Sequence, residues 1–185
     1  MKKYLKMLPL IIYPYAYIIW FLGFVEIGSL LEETVSEETL SNTQSAVAIV
    51  YQIVVLVNVI WGTIAVAVNG YTAREAAKLN LAVKGFQIPA YIFYFIVGLV
   101  GCVMSIWGIG LIILSLVVNG ITIILTGIYA VGCIVKMRRQ NAISTAMAIV
   151  SGICSFVYVA DVIVAFILSR KCKKNELYKV IIIED

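Results

Sequence analysis

The chain has 185 residues, 63% hydrophobic and 13% charged, with a net charge of +4 and a mean hydropathy of +1.04. A soluble domain carries about a quarter charged residues. The polar surface here is too small to cover a water-soluble globule, and disorder, which needs low hydrophobicity and high charge, is excluded too.

Lys2, Lys3 and Lys6 precede an apolar stretch that is too long for a signal-peptide core and is followed by no small-x-small cleavage pattern. Residues 8–31 are therefore expected to form a retained first span. The loop "EETVSEETLSNTQ" is acidic, and no charge occurs between Thr39 and Ala73. A second span fits at 45–69, given ~20 residues per crossing. In "TAREAAKLN", Thr72 and Glu75 have capping-box spacing, which predicts a short cytoplasmic surface helix over 73–84. Pro89 would then fall in the first turn of span three, where its missing N–H costs nothing.

From Gly85 to Val135 there is again no charge. As one helix that stretch would run ~76 Å at 1.5 Å per residue, over twice the ~30 Å hydrocarbon core. A fold-back at "WGIG", Trp107 to Gly110, gives spans at 88–106 and 110–136. The rival turn at Asn119–Gly120 would leave one span too long and the other too short. The last apolar block predicts a single tilted crossing over 142–169. The expected fold is an all-α polytopic transmembrane helix bundle of five spans. It forms one domain over 1–170, followed by a short basic C-terminal tail, 171–185.

Lys2, Lys3 and Lys6, then Arg74, Lys78 and Lys84, then Lys136, Arg138 and Arg139 fall on one side if the spans alternate. The positive-inside rule makes that side cytoplasmic, along with the N-terminus. Five spans would then put Arg170, Lys171, Lys173 and Lys174 outside, against the rule. A re-entrant apolar segment would return them to the cytoplasm.

An ionisable group within a span costs a few kcal/mol by insertion scales. Glu26 and Asp161 are such groups, and with Asn119 they are expected at one level toward the outer leaflet. Tyr158 shares a helical face with Asp161. A protonated Asp161 donating to Asn119 and accepting from Tyr158 would satisfy this cluster; a wet cavity shared by Glu26, Asn119 and Asp161 would instead suit a proton or cation path. Gly98 and Gly101 on span three, and Ser151 and Ser155 on span five, belong to small-residue faces expected to pack helix on helix. Asn58, on span two, is expected to face the bundle interior.

Catalytic chemistry is hard to build. The chain has no histidine, no CxxC or HExxH pair and no glycine-rich phosphate motif. The reading is no enzyme, no catalytic residue, no metal site and no cofactor. The expected partners are the lipid bilayer and another membrane protein or a second copy; the dispersed basic residues argue against nucleic acid. An accessory or partner-binding subunit leads, and a small oligomeric transporter or channel is the alternative.

The stretch "KLNLAVKGFQIPAYIFYFIVG", residues 78–98, resembles the entry to the third span in a family of small multi-pass bacterial membrane proteins of unknown function, and the region of Asp161 does so more loosely. The resemblance implies a bacterial cell membrane and carries no activity.

Overall fold

The computed structural model describes the backbone of residues 7–31, 37–68 and 70–184, with side chains over 7–19, 39, 42–43, 45–68 and 70–175. Six α-helices make up the described chain: α1 Leu8–Leu31, α2 Glu37–Val68, α3 Ala73–Val103, α4 Ile109–Arg139, α5 Thr145–Cys154 and α6 Ala160–Glu184. A 3-10 turn, Ser105–Gly108, joins α3 to α4.

Among the described residues, three segments are long and apolar enough to cross a membrane: Ser45–Val68, Ala73–Val103 and Ser105–Arg139. Five spans are therefore not supported. Over α1, the apolar described stretch is the shorter Leu8–Ile19, and Glu26 lies outside the described side chains.

The surface helix expected over 73–84 does not stop there. Its start is as anticipated: Thr72 accepts from the Glu75 N–H, and the Glu75 carboxylate accepts from the Thr72 N–H. From this capping box the helix runs unbroken to Val103, with Pro89 in its interior. A proline there removes one N–H and crowds the carbonyl four residues earlier. That earlier residue is Gly85, with open space where a side chain would be. The Tyr15 hydroxyl donates to the neighbouring Phe86 carbonyl, so α1 braces α3 at this point.

α3 and α4 form an antiparallel hairpin. The fold-back falls at Met104–Gly108, and Asn119–Gly120 lies inside α4. The two helices meet backbone to backbone beside the turn, where a Cβ on Gly108 would collide with the Gly101 carbonyl. Farther along, Gly98 faces Ser115, whose hydroxyl donates to the Tyr94 carbonyl. At the opposite end the Gln140 side-chain oxygen accepts from the Ala73 N–H. α2 lies alongside α4 with the same direction, Gly62 against Tyr129 and Gly132 against Thr63. Tyr13, Tyr94 and Tyr129 fill the interior where these helices meet α1.

The block read as a fifth crossing, 142–169, is broken. α5 has 10 residues, ~15 Å at 1.5 Å per residue, half a hydrocarbon thickness. Residues 155–159 leave the helix, with Val159 at φ 67°, a left-handed conformation that a β-branched residue adopts only at a cost of about 1–2 kcal/mol. α6 then runs back. Asn175 donates to the Ala142 carbonyl at 2.7 Å, and the Lys171 ammonium lies 3.1 Å from the Met147 sulfur. The tip between α5 and α6 rests on α3 and α4, with Phe156 against Gly127. This segment therefore enters and leaves at one end of the molecule, the end where Arg74, Arg138, Arg139, Arg170 and Lys171 gather.

Gly108→Val should lower the melting temperature in detergent by several degrees, since overpacking at a closed contact costs about 1–3 kcal/mol. Gly110→Ala, with open space around it, should leave the temperature unchanged or raise it. Equal melting temperatures for the two variants would show that the helices do not touch at Gly101 and Gly108.

Candidate functional site

Lys84 is buried completely on α3, eleven residues past the helix start. An ammonium has three protons to place and no acceptor of its own, so burial is tolerable only if three acceptors surround it. They do. Nζ donates to Asp161 Oδ2 at 2.7 Å, to Thr126 Oγ1 at 2.7 Å and to the Ser155 carbonyl at 3.4 Å. The three acceptors come from α6, α4 and the turn that follows α5, so one side chain on α3 ties together every element of the broken segment and its support.

Asp161 is saturated in the same way. Oδ2 also accepts from the Tyr91 hydroxyl at 3.2 Å, and Oδ1 accepts from the Val162 N–H at 2.8 Å. Through that last bond the carboxylate occupies a free N–H at the start of α6, where negative charge also favours the helix dipole. Both side chains of the pair are fully withdrawn from solvent. Thr126 passes its own proton to the Thr122 carbonyl at 2.9 Å. Tyr158 covers the pair from the outside: its hydroxyl donates to the Tyr91 carbonyl at 3.0 Å, and the two rings lie 5.2 Å apart.

Gln87 completes the wall. Its Oε1 lies 3.4 Å from the Tyr91 hydroxyl, while its Nε2 is buried with no partner. Tyr91 has one proton, and the carboxylate is the nearer and stronger acceptor. The amide is better satisfied turned over, so that Nε2 donates to the Tyr91 oxygen. A directed chain then runs from Gln87 through Tyr91 to Asp161, neutralised on its other side by Lys84.

The structure places the expected residues as follows. Asp161 meets Lys84 and Tyr91, not Asn119, and like Lys84, eleven residues into α3, it lies nearer the basic end of the molecule than the α3–α4 turn. Tyr158 stands beside Asp161 but bonds to the backbone of Tyr91. Asn119 lies two turns nearer the α3–α4 turn than Thr126, with its Oδ1 buried and unpartnered. Glu26 lies outside the described side chains. Ser151 and Ser155 are buried on the inner side of the broken segment, with the Ser155 hydroxyl on the Ser151 carbonyl at 2.7 Å. Gly98 and Gly101 face α4.

Lys84 is the residue that sequence reasoning assigned elsewhere, to the cytoplasmic loop. A signal for it existed. Lys84, Gln87 and Tyr91 sit at positions i, i+3 and i+7, one face of a single helix. Reading a boundary at Gly85 and Pro89 hid that face. Among the described residues no three His, Cys, Asp or Glu side chains come together in a cluster that could hold a metal ion.

Removing one partner leaves an uncompensated buried charge, a loss of about 3–5 kcal/mol. Asp161→Asn and Lys84→Met should each lower thermal stability in detergent markedly. The double variant Lys84→Met/Asp161→Leu should recover much of the loss, because it removes both charges at once. Single variants as stable as the wild type would show that the pair does not form.

No curated protein and no solved structure matches the chain. Residues 3–174 match the sequence model of a family of unknown function. That match covers nearly the whole chain, the Lys84–Asp161 pair included, and the chain belongs to this family of unknown function, DUF6652.

Proposed function

We propose that the chain is a non-catalytic integral protein of the cell membrane, N-terminus in the cytoplasm, that works as an accessory subunit bound to a partner within the bilayer. The observation that carries this reading is the saturation of the Lys84–Asp161 pair. A group that carries protons or ions must exchange partners with water or solute. Here each lysine proton has an acceptor inside the protein, and neither side chain has any exposed surface. The notion of a path through Glu26, Asn119 and Asp161 has no support from Asp161, which is engaged elsewhere.

The apolar helices supply the recognition surface on this reading. In the span-length windows of α2, α3 and the turn-plus-α4 segment, only 17%, 28% and 28% of residues are buried by the chain itself. Most of each helix is left for lipid and for a partner. Charge supports the orientation: Lys78, Arg138, Arg139, Arg170 and Lys171 are exposed at the end where the re-entrant segment enters and leaves, and basic residues favour the cytoplasmic face.

A membrane-impermeant thiol reagent should label Glu37→Cys in intact cells and Lys78→Cys only after lysis; the opposite pattern overturns the orientation. Extracted from its native membrane in mild detergent, the 20.4 kDa chain should appear by native mass spectrometry in fixed ratio with one different membrane protein. Recovery as a single chain, together with a proton or cation flux that liposomes carrying the wild type show and empty liposomes do not, would replace the accessory role with transport.

A further inference from the structure

One face of α4 is packed inside the molecule, with Thr122, Thr126, Tyr129 and Cys133 on it. Another is not. Ile113, Val117 and Ile124 are exposed, Gly120 is half-exposed, and their spacing of three and four residues places them in one stripe along the helix. Gly120, in the middle of the stripe, has nothing within 4 Å of where a Cβ would stand. Glycine inside a helix weakens it relative to alanine, and no contact in this chain requires the missing side chain. Beside it, Asn119 is only half-buried, and its Oδ1 is buried with no hydrogen-bond partner. Ten residues past Ile109, Asn119 lies ~15 Å along α4, half a hydrocarbon thickness, where water supplies no partner either.

We propose that α4 pairs with α4 of a second copy of this chain, about a two-fold axis along the membrane normal, with the two Asn119 amides meeting beside Gly120. The pairing requires α4 to span the membrane and does not depend on the accessory role. An amide carries both donors and an acceptor, so two identical amides related by a two-fold axis satisfy each other, each N–H donating to the other oxygen. A change of χ1 at Asn119 carries its oxygen from the interior to this seam. An acyl chain offers neither donor nor acceptor, so lipid over the stripe would leave the amide unsatisfied. Gly120 supplies the steric condition, since helices in a bilayer approach closely where a small residue lies between their backbones. The exposed side of α2 differs on both counts: Val50, Val54, Val57 and Trp61 are bulky and apolar, as surface facing lipid is.

Oxidative cross-linking of the full chain in carbonate-washed membranes tests the proposal. A chain that is retained there but not linked counts against the pairing and not against the span. Ile124→Cys, one turn from Gly120, should form a disulfide-linked dimer well above the wild-type background, and Val54→Cys on α2 should stay at that background. Adding Asn119→Leu to Ile124→Cys should slow dimer formation about fivefold, the scale of interhelical hydrogen bonds lost from both copies. Asn119→Gln, which keeps the amide, should stay within about twofold. Gly120→Leu, which fills the gap on the helix face, should slow linking at least as much as Asn119→Leu. Unchanged melting temperatures establish that the variants are folded, and Gly120→Leu serves alone if Asn119→Leu is not. Equal linking at Val54→Cys and Ile124→Cys, a rate that neither Asn119→Leu nor Gly120→Leu alters, or an Ile124→Cys adduct with a different protein in place of the dimer overturns the proposal.

Discussion

An ammonium and a carboxylate 2.7 Å apart, both withdrawn from solvent, hold the C-terminal third of this chain in place. Desolvating two charges is expensive, and their attraction compensates only when the remaining donors and acceptors are also satisfied. That condition dictates the local architecture. Thr126 must face α3, the Ser155 carbonyl must be free of helical bonding, and Asp161 must sit where α6 begins. The break at 155–159 is thus coupled to the pair: the ordered tip offers the carbonyl and carboxylate that Lys84 needs, and Lys84 stabilises a turn that would otherwise carry the strain of Val159.

The same arrangement resolves a conflict in the distribution of charge. An unbroken fifth crossing would carry Arg170 and Lys171 to the face opposite Arg74, Arg138 and Arg139. A segment that enters and returns keeps them together, as Asn175 on Ala142 and Lys171 beside Met147 show. Irregular backbone is tolerated at membrane depth only where protein covers it. α3 and α4 cover the irregular 155–159 backbone, with Phe156 against Gly127, while Val157 and Val159 are exposed.

Much of the helical content was legible in the sequence because its causes are local. The Thr72–Glu75 cap, the apolar runs and the turn before Gly110 each follow from short-range chemistry. The ion pair was not legible, because its members are 77 positions apart and each has a plausible local role, Lys84 as a loop cation and Asp161 as a lone acid. The break at Val159 was hidden for a related reason. "SFVYVAD" contains neither glycine nor proline, and every residue in it but Asp161 suits a continuous apolar helix. The helix ends there because of a partner on α3, which no periodicity within the segment records.

The reading proposed for this chain has residues 142–175 dip into the membrane and return, held at the tip by Lys84. Single fluorophores placed at Ser144, Val157 and Lys173 in proteoliposomes of one orientation test it through depth-dependent quenching by spin-labelled lipids and an impermeant aqueous quencher. The expected result is that Ser144 and Lys173 are shallow and reached by the quencher from the same face, while Val157 lies about 15 Å deeper and is reached from neither. Ser144 and Lys173 quenched from opposite faces would show a full crossing and contradict the account.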